Sequence, residues 1–298
     1  MNLCDIKTVR SLLNKYSTGT KKGFGQNFLI NPEVPENIAD ESFSYHKIKR
    51  PKNKSCVLEI GPGIGTLTNE LCSRYDKVVC VEIDKTLIPI LDETLGEYDN
   101  VNVVNEDFLK LDLGAFLNEH FGDESVSVCA NLPYYITTPI IMKLLEGVRG
   151  RFVSLTVMVQ KEVAARLCAT EKDSDYGAIT ASINYYGRAV KLFDVGPENF
   201  LPAPSVTSSV IRIELYEEIP YKVKSEKMLF ETIAGAFAQR RKTLLNSLSS
   251  YFSHIEKSKI AEIIVRCGFD INIRGEKLSI ENFCALSDEF YEVANGKI

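Results

Sequence analysis

SCVLEIGPGIGT (55–66) runs an apolar, β-rich hexapeptide straight into a glycine-rich turn, and VVCVEID (78–84) repeats the apolar run and closes on an acidic pair. The same unit recurs downstream as VNVVNED (101–107), SVSVCANLP (125–133) and RFVSLTVMVQ (151–160). Between these runs lie stretches that suit helices, LTNELCSRY and TPIIMKLLEGV among them. Strands that are apolar throughout, alternating with helices, predict an α/β fold with a doubly wound parallel sheet covered on both faces. RAVKLFDV (188–195) and SSVIRIEL (208–215) read as a pair of strands closing one sheet edge. Beyond residue 217 the texture is helical: Ile260, Ile263, Ile264 and Cys267 share one helix face, and Gly268 supplies a stop. The expected organisation is an α/β domain over 1–216 and a small helical domain over 217–298, with EEIPYKVKS (217–225) as the linker.

Composition narrows the function classes. No apolar run approaches the ~20 residues needed to cross a bilayer, and the N-terminal stretch has neither an apolar core nor a small-residue cleavage site, so a cytoplasmic address is expected. The 8 cysteines form no CxxC pair. Cys56, Cys80 and Cys129 lie inside apolar runs, where a thiol acts as a small hydrophobe. With only 3 histidines and no ligand cluster, no metal is expected. The net charge of −5 argues against a uniformly basic surface, yet Lys21-Lys22, the stretch 47–54 and Arg240-Arg241-Lys242 are local basic clusters. Such clusters either bind phosphate or simply form solvated faces.

Gly61-Pro62-Gly63-Ile64-Gly65 allows a sharp turn and close approach of a ligand to the backbone. Thr66 stands where a dinucleotide fingerprint carries its third glycine, so a pyrophosphate site is incomplete. Glu82 ends the second strand, placed to accept from ribose hydroxyls, and Asp107 ends the third, placed to accept from an adenine amine. Either carboxylate alone reads equally as a helix cap, and the turn alone as a plain structural one. Together, at the carboxyl ends of successive strands, they suit a nucleoside without pyrophosphate. Asn131-Leu132-Pro133-Tyr134 follows the fourth strand. The Asn131 amide oxygen and the Leu132 carbonyl suit the two N–H bonds of an aromatic amine, Pro133 fixes the chain direction, and Tyr134 suits stacking on a base. Phe200, in FLPAPSV, is either a second stacking ring or a core phenylalanine.

GFGQNFL (23–29), VLEIGPGIGTLT (57–68), VEID (81–84), EDF (106–108), NLPYYITTP (131–139), QKEVAARL (160–167) and FLPAPSVTSSV (200–210) occur in the order and spacing of the rRNA adenine N6-dimethyltransferases, which the chain resembles nearly end to end. The resemblance implies a Rossmann-like methyltransferase sheet with a helical domain behind it, S-adenosylmethionine as cofactor, and cofactor contacts from Asn27, Leu29, Gly61, Gly63, Glu82, Asp107 and Asn131. It also implies that Asn131, Leu132 and Pro133 cradle the target adenine between Tyr134 and Phe200. FAQRRKTLLNSL (237–248) and IRGEKLSIENFCAL (273–286) resemble the small-subunit, KsgA-type branch. That branch dimethylates two adjacent adenines of 16S rRNA in the immature 30S subunit, and the likeness turns Arg240, Arg241 and Lys242, with Lys21 and Lys22, toward rRNA in a chain acting as a monomer. The alternatives are a macrolide-resistance enzyme acting on large-subunit rRNA and a non-catalytic assembly factor. A nicotinamide dehydrogenase is disfavoured by Thr66.

Overall fold

The computed structural model describes residues 1–19, 25–147 and 150–295, so Lys21 and Lys22 lie outside the described residues. Nine strands are present among them. The first is β1 (Phe28–Leu29), followed by β2 (Cys56–Ile60), β3 (Lys77–Val81), β4 (Val101–Val104), β5 (Val126–Asn131), β6 (Phe152–Gln160), β7 (Gly187–Val195), β8 (Phe200–Leu201) and β9 (Ser208–Leu215). Seven form one sheet in the order β4-β3-β2-β5-β6-β9-β7, while β1 and β8 make a separate antiparallel pair. Pairing is parallel from β4 through β6 and antiparallel between β6 and β9. Every residue of β2 is buried, as are nearly all of β5 and β6, which is what helices on both faces require. Cys56, Cys80 and Cys129 are fully buried in β2, β3 and β5.

Strand order decides where a ligand can sit. From β2 the chain winds outward through β3 to β4, then returns to place β5 on the other side of β2. The crevice beyond the carboxyl ends of β2 and β5 is therefore a topological switch point. The helix Ile6–Lys15 was not anticipated from sequence. Its Val9, Leu12 and Leu13 bury against Phe28, Ile64, Leu87 and Ile90, which fixes β1 and the glycine turn beside that crevice. The β1–β8 pair has a similar role, with Leu29 opposite Phe200 and Phe28 opposite Leu201.

Contacts divide the chain into Met1–Ala164 with Ala189–Glu217, and Ala165–Arg188 with Glu218–Ile298. The second unit thus takes in 165–188, which the sequence placed with the sheet. Tyr176 is the reason: it is fully buried, its hydroxyl donates to the Leu278 carbonyl at 2.9 Å, and its ring meets Phe237 edge-on. Tyr186 stacks on Phe230 in the same unit. The helix Lys257–Arg266 buries Ile260, Ile263 and Ile264, and Gly268 follows at φ +80°. Among the described residues no helix is long and apolar enough to cross a membrane.

Candidate functional site

The carboxyl ends of β2, β3 and β5 and the loop after β4 open onto one cavity of about 1090 Å³, part of it open to solvent. Asn27, Leu29, Gly61, Gly63, Glu82, Asp107, Asn131, Leu132, Pro133 and Tyr134 all line it. Gly61 stands at φ +72°, and a Cβ there would meet nothing within 4 Å. The turn is therefore glycine for its left-handed backbone, and a side chain would project into open space. Gly63 donates its N–H to Glu82 Oε2 at 3.2 Å, while the Asp84 N–H donates to Oε1 at 2.7 Å. These two bonds hold the Glu82 carboxylate, only 4% exposed, in a fixed plane. Burial raises its pKa, against the lowering effect of the two amides.

Asp107 caps the short turn Phe108–Lys110 by accepting the Leu109 N–H at 3.0 Å. The bland reading, a helix cap, is thus correct as far as Oδ1 goes. Oδ2 lies 3.5 Å from the exposed Lys110 ammonium, and the residue still faces the cavity. Glu59, at the end of the apolar run of β2, also lines it, and burial pushes its carboxyl up to about 7.

The tetrapeptide is held from a distance. Asn131 Nδ2 donates to the Asn27 carbonyl at 3.2 Å, so the amide nitrogen is occupied and its oxygen, an acceptor, remains for a ligand. The acceptor is the main chain at position 27, while the Asn27 side chain donates to the Gly25 carbonyl at 3.2 Å. The Pro133 carbonyl accepts from Ile136 N–H and Thr137 Oγ1, both at 3.2 Å, which closes it to a ligand. Of the acceptors on 131–133, Asn131 Oδ1 and the Leu132 carbonyl are not engaged by these bonds. Tyr134 Oη pairs with Ser208 Oγ at 2.7 Å, which fixes the ring at the cavity wall.

Phe200 is placed elsewhere. It is 3% exposed, in the apolar cluster with Leu29, Val34, Ile38 and Val210, and is absent from the cavity lining. The ring is packed within that core cluster, so neither face is open to a base. Arg240 also differs from expectation: its guanidinium donates to the Ser174 carbonyl at 2.7 Å and the Tyr176 carbonyl at 3.2 Å, tying down a loop of its own unit. Arg241 and Lys242 are exposed.

Several lining residues were not named as ligand contacts from the sequence, Glu59, Glu106, Thr66 and Tyr135 among them. Thr66 Oγ1 is buried without a hydrogen-bond partner, an orphan that a bound polar ligand would satisfy. Tyr135, 60% exposed, stands at the cavity beside Tyr134. A tyrosine repeat gives no sign of which ring points where.

The lining has a decisive chemical bias. It contains the carboxylates Glu59, Glu82, Glu106 and Asp107 and, among the described residues, no lysine, arginine or histidine. A pyrophosphate would meet only like charge there, whereas a cation would be drawn in and would favour the ionised carboxylates. Among the described residues no group of three or more His, Cys, Asp or Glu is placed to hold a metal.

Comparison with known proteins agrees with this geometry. The pattern of the family described as ribosomal RNA adenine dimethylase matches residues 18–292. The chain belongs to the ribosomal RNA adenine dimethylase family. It is 45% identical over 282 residues to the ribosomal RNA small subunit methyltransferase A of Alkaliphilus oremlandii, spanning 95% of this chain and 96% of that one. It is 46% identical over 288 residues to the protein of that name from Lachnoclostridium phytofermentans, spanning 96% and 97%. Among solved structures, a dimethyladenosine transferase from Plasmodium falciparum superposes with TM-score 0.73 at 24% identity, covering 89% of this chain and 98% of its own. The 23S rRNA methyltransferase ErmE does so with TM-score 0.64 at 23% identity, covering 88% and 99%. These two establish the class I methyltransferase fold for this dimethylase.

Proposed function

We propose that this chain transfers methyl groups from S-adenosylmethionine to the N6 amines of two adjacent adenines in small-subunit rRNA, acting in the cytoplasm as a monomer on the immature 30S subunit. The observation that carries the reading is the acidic cavity, with no cation among the described lining residues, that sets Gly61, Glu82 and Asp107 beside Asn131. It fits a positively charged nucleoside and disfavours a dinucleotide. The small-subunit assignment is supported by the names of the relatives, which match nearly end to end.

When bound, S-adenosylmethionine supplies a methyl group on a positively charged sulfur, open to in-line attack by an amine. Glu82, already fixed by the Gly63 and Asp84 amides, accepts from the ribose hydroxyls, and Asp107 accepts from the cofactor's adenine amine. Thr66 Oγ1, buried without a hydrogen-bond partner among the described residues, would take one from the bound cofactor. On the substrate side, Asn131 Oδ1 and the Leu132 carbonyl accept the two N–H bonds of the target amine. The amine of adenine is a poor nucleophile because its lone pair is delocalised into the ring; two acceptors aimed at its hydrogens favour the pyramidal geometry that frees the pair. Tyr134 stacks on the base, which must leave its own stack to reach the cavity. Most of the acceleration is then positional, of the ~7–11 kcal/mol that aligned reactants can gain.

The test is Asn131→Ala. Losing an aimed polar group should lower methyl transfer by about 100- to 1000-fold, while S-adenosylhomocysteine still binds within a few-fold of the parent. Turnover near normal would refute the cradle. Mapping label from the cofactor onto unmethylated small and large subunits offered together checks the substrate, and unlabelled 16S rRNA beside labelled 23S rRNA would transfer the assignment to the large subunit.

A further inference from the structure

Helix Thr137–Gly147 starts directly after the tetrapeptide, and Lys143 on it reaches back across the cavity wall. Its Nζ donates to the Leu109 carbonyl at 2.8 Å and to the Leu111 carbonyl at 2.6 Å, and lies 5.9 Å from the centre of the Phe108 ring. No carboxylate among the described residues pairs with it, unlike Lys15 with Glu93 or Lys161 with Asp194. One ammonium therefore binds the turn whose N-terminal cap is Asp107. Glu106, Asp107, Phe108 and Leu109 line the cavity, and so do Ile140, one helical turn before Lys143, and the tetrapeptide. A half-buried cation whose hydrogen bonds go to two backbone carbonyls is an uncommon use of lysine, and here it joins the Asp107 turn to the helix that follows the tetrapeptide.

We infer that Lys143 is a positioning residue for the cofactor: it locks the Asp107 turn to the helix that carries the substrate-side loop. The inference rests on the functional reading above, since it assigns the turn to the adenine end of the cofactor. The turn has its own cap from Asp107, so loss of the lysine leaves it formed but no longer anchored to the helix. The chief consequence falls on affinity for ligands that carry adenosine. RNA binding is spared.

Lys143→Met keeps the aliphatic stem and removes the cation. Losing its two charge-assisted bonds should weaken S-adenosylhomocysteine and methylthioadenosine about tenfold each, by calorimetric titration. KM for S-adenosylmethionine should rise by the same factor, while kcat at saturating cofactor and KM for RNA stay within about threefold. Lys143→Arg, which restores a multi-donor cation, should recover most of the affinity. A purely structural lysine would instead lower the melting temperature and depress every parameter together. Should Lys143→Met not fold, Lys143→Gln, able to keep one of the two bonds, is held to the same pattern. Unchanged adenosine-ligand affinity in the variant, an equal rise in KM for RNA, or failure of arginine to rescue would overturn the assignment. Wild-type protein that binds no S-adenosylhomocysteine would overturn the functional reading and this inference with it, whereas wild-type binding without loss in the variant overturns the inference alone.

Discussion

Glu59→Gln should change how the stability of the ligand-free protein depends on pH. Glu59 is 1% exposed, and burial, reinforced by the nearby Glu82 carboxylate, pushes its carboxyl from 4.5 to about 7. Between those values the folded protein holds a proton that the unfolded chain has released. This contribution is fully present below pH 4.5 and is lost as pH rises to about 7. At about 1.4 kcal/mol per pH unit, a gap of about 2.5 units amounts to roughly 3 kcal/mol. His46 acts in the opposite sense. Burial, aided by Lys47 and Arg50, lowers it from 6.5 to about 4, so its contribution is present above pH 6.5 and is lost as pH falls through that range. From 4.5 to 6.5 the two slopes oppose, and the parent protein gains a flat stretch from this pair. The glutamine variant keeps only the histidine slope there. Urea unfolding followed by circular dichroism at intervals from about pH 4.5 to 7.5 gives the difference between variant and parent, in which His46 and the surface carboxylates cancel. That difference should move by roughly 3 kcal/mol in favour of the variant as pH rises. A difference constant to within about 0.5 kcal/mol would show that Glu59 is not held neutral by its surroundings.

Gly61→Ala places a methyl in open cavity space at φ +72°, so it should cost about 1–2 kcal/mol of stability and weaken S-adenosylhomocysteine in a binding titration. Gly65→Ala, whose Cβ would come within 3.0 Å of Thr94 Oγ1 at φ +89°, should lower the melting temperature further. Tyr134→Phe removes only the 2.7 Å bond to Ser208, so it should cost about 1 kcal/mol in a melt and leave methyl transfer within a few-fold, while Tyr134→Ala should weaken RNA about tenfold or more. Arg240→Ala should destabilise the C-terminal unit through its two carbonyl bonds, whereas Arg241→Ala and Lys242→Ala should instead flatten the salt dependence of RNA affinity.

The α/β class and the strands β2 to β6 were legible because fully buried parallel strands leave unbroken apolar runs, and the glycine turn and its acidic partners follow those runs at fixed offsets. The helix Ile6–Lys15 and the pair β1–β8 were not. The helix carries only a narrow apolar stripe through Val9, Leu12 and Leu13, and each strand of the pair spans two residues, too short for any period to show. The placement of 165–188 with the C-terminal helices was equally hidden, since Tyr176 reads the same in either unit until Leu278 is seen beneath it. Phe200 illustrates the opposite error. Its motif implied a stacking ring, but the ring is buried beside Leu29, Val34 and Ile38, residues distant in sequence that the motif does not encode.

The two sides of the cavity are held by different kinds of contact, and that difference explains which side could be read. Glu82 and Asp107 are fixed by main-chain N–H groups, with Gly63, Asp84 and Leu109 as donors, and two of these three lie two residues from the acceptor. Short-range backbone donors come with the strand-end and turn pattern itself, so a pattern that predicts the carboxylate also predicts its support. Asn131 and Tyr134 depend on partners 104 and 74 residues away, and Lys143 on carbonyls 34 and 32 away. No local period encodes such partners. It follows that the supports of the two carboxylates are readable from the motifs, whereas those of the substrate loop lie at Asn27 and Ser208, far from the tetrapeptide in sequence and next to it in space.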